Sequence, residues 1–93
     1  MQTYKFDLQA INQNAREALN DYDHANMPDR CNTLIYCCIE AGMRTGNEIV
    51  GSVRVMAPDL NNRFIGMLLN RPLKTPSGDP YWRKDPVAGY VLS

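Results

Sequence analysis

The chain has 93 residues, 44% of them hydrophobic, and its 10 basic and 10 acidic side chains give a net charge of zero. This length and composition describe one globular domain with a modest core and exclude an enzyme built from two domains. No window approaches the roughly 18 consecutive apolar residues of a membrane span, and the start MQTYKFDLQ lacks the layout of a secretion signal. We therefore expect a cytoplasmic protein without a membrane partner.

The first predicted element is an amphipathic helix from Leu8 to Tyr22, capped by Asp7. Its apolar positions recur at spacings of three and four, namely Leu8, Ile11, Ala15, Ala18, Leu19 and Tyr22. We assign residues 1–28, which are acidic overall, to this helix and a linker that ends at Pro28. The stripe predicts self-association into a homodimer, because the remaining residues of so small a domain do not wholly cover it.

Two further helices are predicted in the middle of the chain. The second spans Arg30 to Ala41, with Asp29 as its N-cap and Gly42 after its end, and it is the most apolar of all. The third runs from Gly46 to Arg54. It follows Thr45-Gly46-Asn47-Glu48, which fits a capping box in which side chain and backbone pair reciprocally.

A fourth helix and a hairpin complete the predicted fold. Pro58 suits the first turn of a helix that runs to Asn70, with Leu60, Phe64, Met67 and Leu68 as the expected buried stripe. Beyond Pro72, the β-like runs Tyr81–Lys84 and Gly89–Leu92 are close enough to pair through a turn at residues 85–88. The predicted fold class is mainly α with a small β-hairpin.

The order of elements in residues 29–93 resembles the winged-helix variant of the helix-turn-helix domain. Two motifs carry the resemblance: Thr45-Gly46-Asn47-Glu48-Ile49 looks like the capped second helix, and Tyr81-Trp82-Arg83-Lys84 with Gly89-Tyr90-Val91-Leu92 looks like the wing strands. The resemblance implies that the N-terminal helix is followed by a winged-helix domain, residues 29–93, that binds double-stranded DNA. Its third helix, here Pro58–Asn70, would lie in the major groove while the wing contacts the backbone.

Candidate DNA contacts are the amide and basic side chains of the fourth helix and the hairpin. Amides pair with adenine and guanidinium groups with guanine, so the candidates for base contact are Asn61, Asn62, Arg63 and Asn70. Within residues 63–84 the only acid is Asp79, against five basic side chains. Lys74, Arg83 and Lys84 are the candidates for phosphate contact from this region. Trp82 either wedges at the DNA backbone or completes the core.

The sequence predicts neither a catalytic site nor a metal or cofactor site. Cys31, Cys37 and Cys38 form no CxxC pair, and the adjacent cysteines point about 100° apart on a helix, so they cannot converge with His24 on zinc. Their odd number favours a reducing compartment. The GxGxxG, P-loop, GxSxG and HExxH fingerprints do not occur, and we expect a protein that is not an enzyme.

The leading hypothesis is a small winged-helix regulator of phage or bacterial type that binds DNA as a homodimer. The alternative is a phage-encoded inhibitor or adaptor that binds a protein complex, such as a host nuclease or defence complex, through its acidic first helix. A subunit fragment of a replication or recombination machine is a third hypothesis. Salt-dependent retention on duplex DNA separates the first hypothesis from the second.

Overall fold

A computed structural model describes residues 6–92, which form four α-helices, one 3-10 turn and one antiparallel hairpin. The elements are α1 (Leu8–Ala18), the 3-10 turn (Tyr22–His24), α2 (Met27–Glu40), α3 (Gly46–Met56), α4 (Asn62–Asn70), β1 (Trp82–Asp85) and β2 (Gly89–Leu92). The prediction of a mainly helical chain with a small hairpin is confirmed. None of the helices in this part of the chain is long and apolar enough to cross a membrane.

Each helix begins at a polar side chain that accepts a hydrogen bond from a backbone N–H three residues later. The four N-caps are Asp7, Asn26, Thr45 and Asn61. Asp7 and Thr45 are the predicted caps. The reciprocal bond of the predicted capping box differs, because Glu48 Oε1 accepts from the Arg44 N–H and the Thr45 hydroxyl rather than from the Thr45 N–H. The prediction of Asp29 as the cap of α2 was wrong, because Asn26 takes that role and Pro28 occupies the first turn, where its missing N–H leaves no bond unmade.

The start of α4 also differs from the prediction. Pro58 lies within a turn that is closed by a hydrogen bond from the Leu60 N–H to the Ala57 carbonyl, and the helix begins only after Asn61. Leu60 is buried in this turn rather than in the helix. Counting it as helical gave the stripe a wrong phase, so Met67, expected to be buried, is 54% exposed. The side chains that α4 buries are Ile65, Leu68 and Leu69.

The predicted first helix is shorter than expected, and most of its apolar stripe is covered within the chain: Leu8 and Leu19 are half-buried, and only Ala18 of the stripe is exposed. α1 ends at Ala18, and Asp21 adopts a left-handed conformation with φ of 54°, which prevents the helix from continuing to Tyr22. Ile11, Ala15 and Tyr22 are all buried in the common core, where α1 packs on α2 and α3. The homodimer stays a prediction, but this stripe no longer argues for it.

Two hydrogen bonds to backbone carbonyls fix the hairpin to the helical part of the chain. The Trp82 indole N–H donates to the Leu69 carbonyl at the end of α4 (2.9 Å), and the ring is fully buried, so Trp82 belongs to the core. The Tyr90 N–H donates to the Arg44 carbonyl between α2 and α3 (2.9 Å). The Arg44 guanidinium in turn donates to the Ile39 carbonyl at 2.8 Å, which ties the same turn to the end of α2.

Gly89 and Gly78 provide a matched test of the close approach at Arg44. Both have a positive φ, +86° and +94°, but a Cβ added at Gly89 would collide with the Arg44 carbonyl, whereas one at Gly78 meets nothing within 4 Å. Gly78→Ala should therefore cost only backbone strain, about 1–2 kcal/mol. Gly89→Ala should lower the free energy of unfolding by at least about 1 kcal/mol more, as measured by urea denaturation. Equal losses of stability would contradict the close approach.

Candidate nucleic-acid interface

The outer face of α4 is the first part of the candidate interface. It consists of Arg63, Gly66, Met67 and Asn70, whose spacing of three and four places them opposite the buried side of the helix. A Cβ added at Gly66 would meet no atom within 4 Å, so no other part of the described chain lies against the helix there. This face is open to a partner along its length.

The asparagines predicted to read bases are all used within the fold. Asn61 Oδ1 accepts the Phe64 N–H at 2.8 Å and caps α4. Asn62 Oδ1 accepts from the Arg54 guanidinium, also at 2.8 Å.

Asn70 is held by two hydrogen bonds. Its Nδ2 donates to the Gly66 carbonyl at 3.0 Å, and its Oδ1 accepts from the Tyr90 hydroxyl at 3.2 Å. Arg63 differs from the asparagines, since it is exposed and has no hydrogen bond or ion pair with any residue of 6–92. It is the predicted base reader whose side chain is free to reach a ligand.

The hairpin brings two cations to the end of α4. Arg83 and Lys84 are both exposed, and with Asn70 they line a cleft of about 230 Å³ between helix and hairpin. Lys84 Nζ lies over the Tyr90 ring, 5.5 Å from its centroid, which fixes the ammonium beside this cleft. The structure therefore places three of the predicted site residues, Asn70, Arg83 and Lys84, around one concave surface.

One acid partly offsets the charge of the hairpin. Asp85 lies 3.5 Å from Arg83, and N–H groups of Ala88 and Val87 donate to its carboxylate. These backbone donors, followed by Arg83, hold the pKa of Asp85 below its ordinary value. Asp85 is therefore ionised at neutral pH, and its carboxylate would compete with a bound phosphate for the Arg83 guanidinium.

Lys74 does not border this cleft. It lines a separate cleft, next to α2 and Tyr81.

Two arginines that were not among the predicted site residues lie closer to α4 than Lys74 does. Arg54, in the last turn of α3, contacts Asn62, and Arg71 directly follows α4, is exposed and has no ion pair in the described chain. Their position at the helix ends could have been noticed from the sequence, because exposed arginines there suit phosphate contact.

The cysteines are not arranged for chemistry. All three are buried free thiols, and burial raises the pKa of Cys31 and Cys38 to about 12 and that of Cys37 to about 11. Thiolate is the reactive form, so these groups are poor nucleophiles and ligands at neutral pH. Within residues 6–92, no three His, Cys, Asp or Glu side chains are grouped to hold a metal ion.

Thiol labelling tests this assignment. Because the raised pKa values and burial both suppress the thiolate, the folded protein should react with a thiol reagent at pH 8 no faster than it unfolds, and all three cysteines should react in denaturant. Cys37→Ala serves as the control, since Cys37 has the lowest pKa of the three and is the first expected to react. A thiol that reacts rapidly in the folded protein would contradict the burial described here.

Comparisons with protein-family models, characterised proteins and solved structures found no match to this chain. The function is therefore inferred from the charges and shape of the surface itself. Its parts are the outer face of α4 with Arg63 at its start, the cleft at the other end of the helix, and the exposed cations of the hairpin. The surface therefore combines a single helix, which the major groove of DNA is wide enough to admit, with cations beside it.

Proposed function

We propose that this protein is a small DNA-binding regulator of winged-helix type, in which α4 enters the major groove and the hairpin contacts the backbone. The observation that carries the proposal is the attachment of the hairpin to the end of α4. Because Trp82 donates to Leu69, the cations of β1 stay at a fixed position relative to the outer face of the helix. A helix with flanking cations held in this way matches the geometry that duplex recognition needs.

The structure supports different roles for the predicted residues. Arg63, exposed and unpaired among the described residues, is suited to a bidentate contact with a guanine edge. Arg83 and Lys84 are suited to phosphates. Asn62 and Asn70 act mainly by holding Arg54 and Tyr90, so we assign them to positioning rather than to direct base contact.

A cytoplasmic location and a homodimer belong to the same proposal. The three cysteines are free thiols, which is typical of proteins in a reducing compartment and supports a cytoplasmic location. A dimer would present two α4 helices to half-sites separated by about one turn of DNA, roughly 34–36 Å. Since most of the apolar stripe of α1 is covered within the chain, the contact between copies would involve another surface.

The alternative function, inhibition or adaptation of a larger protein complex, is favoured by one observation on the same helix. Met67 lies in the middle of the outer face of α4 and is 54% exposed, next to the open position at Gly66. A flexible apolar side chain at the centre of a surface is typical of protein interfaces. The net charge of zero also gives weaker attraction to DNA than a basic chain would have.

Salt titrations of DNA binding test the proposed function. The double variant Arg83→Ala/Lys84→Ala should weaken binding to every sequence and reduce the salt slope by up to about two, roughly 0.9 for each phosphate that is no longer neutralised. Arg63→Ala should instead reduce the difference in binding free energy between the specific site and random DNA by about 1–3 kcal/mol. Fluorescence anisotropy at several salt concentrations, with the specific site first selected from random duplexes, measures both effects.

Arg16→Ala provides the matched control, because Arg16 pairs with Asp23 at 2.8 Å and lies on α1, away from the proposed surface. It removes one positive charge but should leave the salt slope unchanged. Failure of the unmodified protein to retain any duplex at ~50 mM salt would contradict DNA binding and favour the protein-docking alternative.

A further inference from the structure

A second concave surface lies between α2 and the segment that joins α4 to the hairpin. It consists of two adjoining clefts of about 410 and 570 Å³, which share Tyr36 and Tyr81 as walls. The two rings meet edge to face with their centroids 5.9 Å apart. We call the two joined clefts the α2 groove, and two clefts that share their walls in this way suit an elongated ligand better than a compact one.

A buried amide forms part of the first cleft. Asn32 is only 6% exposed, and its Oδ1 accepts the Leu73 N–H at 3.1 Å, which fixes the orientation of the carboxamide. Its Nδ2 has no hydrogen-bond partner among residues 6–92, and the atom is not fully enclosed by the protein. Since Asn32 lines the first cleft, this donor opens into it. A donor so placed gains a bond when a ligand brings an acceptor.

The other side chains of the first cleft show what the ligand would carry. Tyr36 and Leu73 offer apolar surface. Lys74 is exposed and has no ion pair with a described residue, so its ammonium can take a carboxylate. Asp29, at the first turn of α2, has no side-chain hydrogen bond in the described chain and can accept an N–H.

We propose that the α2 groove binds an extended peptide segment of a partner protein. One apolar side chain of the segment lies against Tyr36 and Leu73, a backbone carbonyl accepts from Asn32, and a carboxylate lies beside Lys74. An extended chain supplies carbonyl and N–H groups at regular intervals and side chains on alternate sides, which matches a groove that offers both a donor and an acceptor. The first cleft, which would hold these groups, shares no lining residue with the cleft beside α4, so the proposal holds whether or not the α4 surface binds DNA.

Short blocked peptides titrated into the ¹⁵N-labelled full-length protein test the proposal. The first has leucine next to glutamate in a glycine and serine background, the second replaces the glutamate by lysine, and the third replaces the leucine by serine. Binding of the first peptide should shift the Asn32 side-chain amide and the Leu73 backbone amide in NMR spectra. The second and third should bind more weakly, the second by up to about fivefold, as expected for an exposed ion pair.

Two variants separate this site from a structural effect. Asn32→Asp keeps the acceptor for the Leu73 N–H but removes the donor, and it should weaken the first peptide about tenfold. Lys74→Glu should reverse the preference between the first and second peptides, while Lys84→Glu, on the far end of β1, should not. Thermal melts confirm that each variant folds.

Three results would overturn the proposal. The first is that no peptide shifts the groove signals at millimolar concentration. The second is that the peptides shift the amides of α4 instead. The third is that Lys74→Glu leaves the order of affinities unchanged. The first and third results would leave the proposed DNA binding untouched, because they concern only the α2 groove, whereas the second would favour the protein-docking alternative at α4.

Discussion

The position of the hairpin depends on one buried contact, between Trp82 and the end of α4. The last carbonyls of a helix have no partner within it, so the indole N–H satisfies the Leu69 carbonyl while the ring fills the core. Removal of such a ring costs roughly 3–5 kcal/mol in a packed interior. At the other strand, Tyr90 bonds to the Arg44 carbonyl, and the glycine before it permits the close approach. Together these contacts make a two-stranded hairpin, which is marginal alone, a fixed part of the domain.

Fixing the hairpin determines both surfaces that we interpret as functional. Arg83 lies between the two, because it lines the cleft beside α4 and also the second cleft of the α2 groove. Tyr81, one residue after Pro80, forms a wall of the groove against Tyr36. Arg83 is therefore within reach of a ligand on either side of the hairpin, and its position relative to the helices is set by the Trp82 contact.

The sequence was sufficient for those parts of the fold that depend on neighbouring residues. The N-cap at Thr45 was found because its partner, the Glu48 N–H, lies only three positions away. The sequence was insufficient at the start of α4, since Pro58 suits a turn as well as the first turn of a helix. Burial of Leu60 decides between the two, in favour of the turn. The site was harder still. Asn70 has a side chain suited to base contact, but its Oδ1 accepts a hydrogen bond from the Tyr90 hydroxyl of the hairpin, 20 positions later in the chain. No local sequence pattern contains that information.

Hydrogen exchange of the Trp82 indole proton, followed by NMR, tests the central claim that the hairpin is a fixed part of the domain. If the contact with Leu69 holds the hairpin, the proton should exchange only through global unfolding, with the same rate and denaturant dependence as the amide of Ile35 in the buried centre of α2. Fast exchange of the indole proton, insensitive to denaturant while the Ile35 amide stays protected, would show that the hairpin opens separately and would contradict the account.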